Sequence, residues 1–268
     1  MPQQSRIQIP IRAKSAVFPV PRHRTCFTGL VVLSLLVLVV TNSHAIAGRN
    51  THLAGNQSRE IPRQGIAFNK NLHEETYTRA IKAYERGEYH LAKRLLLPLA
   101  KSNHTRSQFY VGMIYDVGLG VSRNANIAVS WYRKAAEKGY HHAQHNLAVA
   151  YANGDGVMAN VELALRWWKR AARQGNTDSQ YNLGIIYATG NGQVKRDLHK
   201  AEKWWRMAAI SGDAMAQYNL GALYANGEKK VTSYCEAIRW WQKSARSGLN
   251  QARVAIEVLK QRPDYRPC

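Results

Sequence analysis

The stretch Ser179-Gln-Tyr-Asn-Leu-Gly-Ile-Ile-Tyr-Ala-Thr-Gly190 decides the fold, because lightly edited copies of it recur along the chain. The other copies occupy residues 107–118, 143–154 and 216–227, and successive first residues lie 36, 36 and 37 positions apart. A second block, residues 201–212, recurs in step from Ala128, Ala164 and Ala237. Self-similarity at this period predicts a helical solenoid.

Each copy has the pattern of two helices. In the first block Leu183 and Tyr187 are four residues apart, the spacing of one apolar helical face, and we name this helix A. The second block alternates small and aromatic residues, and we name it helix B. Glycines follow both blocks, where a left-handed C-terminal cap favours a residue without a Cβ. A further glycine recurs inside helix A, as Gly112, Gly184 and Gly221. Because glycine costs stability inside a helix, its recurrence predicts that another helix crosses close to this position.

The combined pattern resembles a known family. It reads Ala-Gln-x-Asn-Leu-Gly-x-x-Tyr-x-x-Gly-x-Gly-Val and then Ala-x-x-Trp-Tyr/Trp-x-x-Ala-Ala-x-x-Gly, which is similar to the Sel1-like repeat, a relative of the tetratricopeptide repeat. The resemblance implies an all-α, right-handed solenoid of helical hairpins that acts as an adaptor between proteins, with no common catalytic chemistry. The third copy has an extra turn residue and the fourth lacks the second turn glycine, which leaves the geometry of those two turns open.

The N-terminal 47 residues have the pattern of a secretory signal. A basic segment without acidic residues precedes an apolar run of eleven residues, Leu30 to Val40, and Ala45-Ile-Ala47 follows. We therefore expect cleavage after Ala47 and an exported protein, periplasmic or secreted, in a bacterium. The run is shorter than the ~20 residues of a membrane-spanning helix. An uncleaved inner-membrane signal anchor is the alternative.

The remaining boundaries follow from where the repeats begin and end. Residues 48–71 are polar and without periodicity, which predicts a flexible leader. Residues 72–104 form a degenerate helix pair, typical of the cap of a repeat array. Residues 105–249 hold the four repeats. Residues 250–268 form a capping helix, equivalent to helix A of an incomplete fifth copy, and a tail.

One face of helix A is predicted to bind a partner. Positions equivalent to 179, 183 and 187 face the core in this interpretation, which leaves the intervening positions toward the outside or the inner curve. Aromatic, amide and apolar groups that line a groove are typical of protein or peptide sites. The predicted residues are Gln108, Phe109, Gln144, His145, Gln180, Tyr181, Ile185, Gln217 and Tyr218. The alternative is that the rings stack between repeats and are covered.

The charge of the chain suggests a second kind of partner. Five of the 38 Lys and Arg residues but none of the 17 Asp and Glu residues lie in the signal, so the mature net charge is +16. Many of these cations recur on helix B. They are either solvated surface residues or a basic ridge that binds an anionic envelope polymer, a membrane surface or an acidic protein. Nucleic acid is favoured by charge alone and disfavoured by the secretory signal.

The sequence offers no constellation for catalysis, a metal or a cofactor. It contains no Gly-x-Ser-x-Gly, Ser-x-x-Lys, His-Glu-x-x-His or Cys-x-x-Cys motif. His141, His142 and His145 have a spacing that can hold a transition metal, but two fall in a turn and His145 occupies the aromatic position of helix A. We therefore predict a non-catalytic scaffold without cofactor or metal. A cell-wall or β-lactam amide hydrolase is the enzymatic rival.

Two cysteines remain after the signal, Cys235 and Cys268. Ser233 and Glu236 have the spacing of a capping box, which places Cys235 in the first turn of the fourth helix B. The capping helix runs back antiparallel, so the tail can bring Cys268 to Cys235 in a compartment where disulfides persist. The alternatives are a C-terminal thiol that pairs with another chain and a free Cys235 thiol made reactive by the helix N-terminus.

Overall fold

The fold is a linear series of helical hairpins. The computed structural model describes residues 63–190, 193–226 and 234–268, and within these ranges the chain forms helices and no strand. Each helix packs mainly against the helices before and after it in the chain, which confirms the predicted all-α solenoid. The helices are α1 (Arg63–Glu85), α2 (Tyr89–Lys101), α3 (Thr105–Val117), α4 (Ala125–Glu137), α5 (His141–Asn153), α6 (Val161–Arg173), α7 (Thr177–Thr189), α8 (Leu198–Ile210), α9 (Ala214–Ala225), α10 (Tyr234–Arg246) and α11 (Asn250–Lys260).

Helices A of the four repeats are α3, α5, α7 and α9, and helices B are α4, α6, α8 and α10. Side-chain caps fix where most of them begin. The Asn124 and Asn160 carboxamides accept hydrogen bonds from the backbone N–H three residues later, at 3.0 and 2.8 Å, and the Asp197 carboxylate does the same at 2.9 Å. Each cap satisfies an N–H that has no partner inside its helix.

The glycines inside helix A mark a close crossing with helix B, as predicted. A Cβ on Gly184 would lie 2.2 Å from Cδ1 of Trp205, and one on Gly221 would lie 2.4 Å from Cδ1 of Trp241. In the first repeat a Cβ on Gly112 would lie 2.7 Å from Cδ1 of Tyr132. Carbon atoms normally approach no closer than about 3.5 Å, so the indole or phenol ring occupies the space of the missing side chain.

The glycine caps after helix A agree with the prediction in the first two repeats and differ in the third. Gly118 and Gly154 adopt the left-handed conformation, at φ 85° and 73° with ψ 40° and 26°. Gly190 has φ 63° but ψ 171°, at the start of the turn whose sequence contains one extra residue. The turn of the fourth repeat lies outside the described residues, as does the predicted capping box residue Ser233.

The helical part of the chain begins earlier than the sequence predicts. Residues 48–71 were predicted as a flexible leader, yet α1 begins at Arg63. Once the packed residues after 71 form a helix, adding each further turn costs little free energy. Residues 63–71 contain no proline, so the helix can extend through them as far as Pro62. The predicted signal peptide and the rest of the leader lie outside the described residues. In the part of the chain that is described, no helix has the length and apolar character that crossing a membrane requires.

Candidate partner-binding surface

The predicted aromatic ladder of helix A is buried, so the prediction that it lines an open groove is wrong. Phe109 and His145 are 0% exposed and Tyr181 is 2% exposed, while Tyr218 is half-buried. The next repeat covers these side chains: Nδ1 of His145 lies 2.9 Å from the hydroxyl of Ser179 in the following helix A. Ile185 is also buried, at 3% exposure. The rings therefore stack between repeats, the alternative that the sequence left open.

The four glutamines of the predicted groove are buried as well, and each has the same structural role. Gln108, Gln144, Gln180 and Gln217 are at most 5% exposed. Their amide nitrogens donate at 3.0 to 3.1 Å to carbonyls in the last turn of the preceding helix, namely those of Ala100, Ala136, Ala172 and Ala209. Helix C-termini leave carbonyls without intrahelical partners. The glutamines therefore cap helices and do not present amides to a partner.

The accessible recurring surface lies on helix B instead. Each helix B carries two adjacent aromatic residues, and the second of each pair is buried against helix A: Tyr132, Trp168, Trp205 and Trp241. The first residue of each pair lies one position earlier, at the edge of the core: Trp131, Trp167 and Trp204 are half-buried and Trp240 is 6% exposed. The repeat thus places a half-buried indole at the surface of three helices B, while the equivalent indole of the fourth is buried.

A cation lies over three of these indoles. Nζ of Lys134 is 4.3 Å from the ring centroid of Trp131, and Nζ of Lys243 is 4.4 Å from that of Trp240. In the second repeat the guanidinium carbon of Arg170 is 4.7 Å from the centroid of Trp167. Residues three apart on a helix share a face, so the spacing Trp-x-x-Lys/Arg produces the cation–π contact. The third repeat has Met207 at this position.

A second cation on helix B reaches the tyrosine at the end of the next helix A. In the first repeat Nη2 of Arg133 donates to the hydroxyl of Tyr151 at 3.2 Å, and in the third Nη2 of Arg206 lies 2.6 Å from the hydroxyl of Tyr224. In the second, Nζ of Lys169 is 5.8 Å from the ring centroid of Tyr187. We name the following set the B-helix ridge: Trp131, Arg133, Lys134, Trp167, Lys169, Arg170, Trp204, Arg206, Trp240 and Lys243.

The B-helix ridge carries excess positive charge. Arg206 forms an ion pair with Glu202 at 2.9 Å. Its guanidinium carbon is also 5.7 Å from the ring centroid of Trp240. Within the described ranges, no carboxylate forms an ion pair with the three cations nearest to the indoles, Lys134, Arg170 and Lys243. Flat apolar rings that carry cations suit a partner with carboxylates and apolar groups.

Comparison with known proteins identifies the repeat. The family model described as Sel1 repeat matches residues 105–140, 141–176, 177–213 and 214–249, more than half of the chain. The chain belongs to the Sel1 repeat family. Members of this family are in general protein-interaction scaffolds without catalytic function.

Two solved structures share the architecture of this Sel1 repeat protein. A Sel1 repeat protein from Oxalobacter formigenes is 33% identical over 63% of this chain and 49% of that chain, with a TM-score of 0.58. A protective antigen of uropathogenic Escherichia coli strains that displays an SLR fold is 29% identical over 75% of this chain and 44% of that chain, with a TM-score of 0.66. The matched part is less than half of either protein. No curated protein matches the sequence.

The histidines of the second Sel1 repeat stack on one another. The ring centroids of His141 and His142 are 4.0 Å apart, and Nδ1 of His141 lies 3.4 Å from the Asn176 amide nitrogen. Burial and, to a smaller extent, the neighbouring His141 and His145 together lower the pKa of His142 to about 4. In the described part of the chain, no group of three or more His, Cys, Asp and Glu side chains is placed to hold a metal ion.

The C-terminal end of the Sel1 repeat array is closed by a disulfide. Cys235, in the first turn of α10, is bonded to Cys268, with the two Cα atoms 5.6 Å apart. The tail that carries Cys268 lies against α10, where the Tyr234 hydroxyl donates to the Asp264 carboxylate. Of the three arrangements that the sequence allowed for these cysteines, the structure contains the internal bridge.

Proposed function

We propose that this protein is a non-catalytic, exported scaffold that binds an acidic segment of a partner protein along the B-helix ridge. The observation that carries the proposal is a cation that lies over the first indole of helix B in three of four repeats and that forms no ion pair within the described residues. A repeated surface can hold an extended partner at several points. Membership of the Sel1 repeat family supports the scaffold role.

Burial favours helix B over helix A as the contact surface. The aromatic and amide side chains of helix A are occupied in stacking and capping, so a partner could reach them only by separating the repeats. The exposed cations of helix B need no rearrangement. Aromatic rings and arginines are also the groups that dominate binding energy at protein interfaces.

Two features support export. The N-terminal segment combines basic residues, an apolar run and Ala45-Ile-Ala47. The disulfide between Cys235 and Cys268 is a bond that persists in the periplasm or outside the cell. We therefore propose that the mature chain begins at Gly48 and acts in the envelope or as a secreted protein.

Charge reversal tests the function. The ridge variant Lys134→Glu/Arg170→Glu/Lys243→Glu removes the three cations that lie over indoles. Its matched control reverses three exposed cations of the N-terminal helix pair, in the variant Arg86→Glu/Arg94→Glu/Lys101→Glu. Both variants change the net charge equally, so general electrostatic attraction affects them alike.

The binding assay uses a fluorescein-labelled oligoglutamate peptide and fluorescence anisotropy. We expect the ridge variant to bind the peptide at least about tenfold more weakly than wild type, and the control to lose less than about threefold. Equal losses in both variants, together with binding to phosphatidylglycerol vesicles that disappears at high salt, would contradict the proposal. That result would show a general binder of anionic polymers or lipids.

A further inference from the structure

The third repeat holds a carboxylate of its own at the B-helix ridge. Oε1 of Glu202 accepts from Nη2 of Arg206 at 2.9 Å and also accepts from the hydroxyl of Tyr224. Nη2 of Arg206 lies 2.6 Å from the same hydroxyl, so the three polar groups converge. Glu202 is 13% exposed. Arg206 of the third repeat and Tyr224 of the following helix A thus form a carboxylate-binding pair that is already filled.

Helix B of the first repeat and the following helix A have the same pair without the carboxylate. Arg133 and Tyr151 occupy the positions of Arg206 and Tyr224, and the guanidinium donates to the hydroxyl at 3.2 Å. The position of Glu202 is taken by Val129, which is 3% exposed and offers no acceptor. Within the described residues no ion pair involves Arg133, although Glu137 lies one turn later on the same helix.

We propose that Arg133 and Tyr151 form a binding site for a carboxylate side chain of an acidic partner protein, which accepts from the two kinds of donor that Glu202 contacts in the third repeat. This inference deepens the proposed function and rests on it, because it assigns the point on the B-helix ridge at which an acidic partner is recognised. The guanidinium and the phenolic O–H both donate to the incoming carboxylate. Lys134, the next residue on α4, lies over the indole of Trp131 and adds a second positive charge to this part of the B-helix ridge.

The other two repeats lack one part of this arrangement, which singles out the first repeat. In the second repeat the cation is Lys169 and the tyrosine, Tyr187, is only 7% exposed. A further lysine near that ring, Lys200, is already paired with Asp197 at 2.8 Å. In the fourth repeat the position of Arg133 is taken by Gln242, which carries no charge.

Reciprocal exchange of the carboxylate tests the site. Val129→Glu gives the first repeat the internal carboxylate of the third and should fill the site. Glu202→Val gives the third repeat the residue of the first and should open a second site. Tyr151→Phe removes only the hydroxyl that donates to the ligand, and Tyr224→Phe, in the filled third site, is its matched control.

Binding of the fluorescein-labelled oligoglutamate peptide is measured at low salt, with the melting temperature of each variant as the measure of folding. We expect Val129→Glu to weaken binding about tenfold, Tyr151→Phe to weaken it about threefold, and Tyr224→Phe to leave it unchanged. Glu202→Val should tighten binding about threefold. If Val129→Glu fails to fold, Tyr151→Phe and Glu202→Val decide the matter.

The results distinguish this inference from the function on which it rests. Wild-type affinity in Tyr151→Phe and no gain in Glu202→Val would overturn the carboxylate site. The same result, with the triple ridge variant still impaired, would leave the proposed function standing. If wild-type protein does not bind the peptide at all, both proposals are contradicted.

Discussion

Replacing Gly184 by alanine should destabilise the array, although the same change stabilises most helices. A Cβ at this position would lie 2.2 Å from both Cδ1 and Nε1 of Trp205. The indole is 4% exposed and enclosed by the core of the third repeat, so it has little room to move away. The methyl group therefore requires a shift of more than about 1 Å to restore normal contact distances.

Two effects of opposite sign set the magnitude. Alanine is favoured over glycine inside a helix by about 1 kcal/mol. Forcing an extra methyl group into a packed core typically costs about 1 to 3 kcal/mol, and the 2.2 Å contact at Gly184 places the cost at or above the upper end. We expect a net loss of about 2 kcal/mol, which corresponds to a decrease of about 4 to 8 °C in melting temperature.

Thermal unfolding followed by circular dichroism measures this loss, and two further variants show its cause. In a Trp205→Leu background the clash is absent, so Gly184→Ala should stabilise by about 1 kcal/mol. In the second repeat alanine already occupies the position, and Ala148→Gly should destabilise by about 1 to 2 kcal/mol through lost helix propensity and lost burial. A higher melting temperature for Gly184→Ala in the otherwise wild-type chain would refute the close crossing.

Three other predictions concern pH, the disulfide and export. The pKa of His142 is lowered from 6.5 to about 4 in the folded protein. Between about pH 6.5 and 4 the unfolded chain therefore binds a proton at His142 that the folded chain does not. The free energy of unfolding should decrease as the pH falls through this range. We expect a loss of about 1 kcal/mol after solvent screening, and a smaller loss in His142→Met; an equal loss would exclude His142 as the cause. Reduction of the disulfide opens a loop of sequence separation 33 and should cost at most about 3 to 4 kcal/mol in the chain-entropy model. Non-reducing mass spectrometry of exported protein should therefore show no free thiol, and a dimer linked through Cys268 would contradict the internal bridge. N-terminal sequencing of exported protein should begin at Gly48, whereas membrane-retained protein that keeps residues 1–47 would indicate a signal anchor.

The helix pairs and their crossings could be predicted because the repeat supplies several independent signals at each position. Gly184 and Trp205 recur together in the third and fourth copies, with the phenol ring of Tyr132 opposite Gly112 in the first. The glycine on one helix and the aromatic ring on the other each predict the same close contact between helix A and helix B. The C-terminal cap of the array could be predicted for a similar reason, because α11 repeats the spacing of helix A.

The contact surface could not be predicted in the same way, because helix A is buried on almost every side. A glutamine such as Gln180 resembles a surface residue in sequence. Its amide nitrogen nevertheless donates to the carbonyl of Ala172, eight residues earlier, in the last turn of the preceding helix. Periodicity identifies one buried face but does not show that neighbouring repeats cover the others. The signal that would have identified the B-helix ridge is the spacing Trp-x-x-Lys/Arg, as in Trp131 and Lys134.

The seven tryptophans of the chain allow the most direct test of the claim that partners bind along helices B. Each indole N–H gives one signal in a ¹⁵N-correlated NMR spectrum. Three of the indoles are half-buried on the B-helix ridge, at Trp131, Trp167 and Trp204, and give the ridge signals, whereas four are buried in the core, at Trp168, Trp205, Trp240 and Trp241, and give the core signals. Titration with the oligoglutamate peptide should move the ridge signals and leave the core signals in place. Movement of the core signals without the ridge signals would contradict the account.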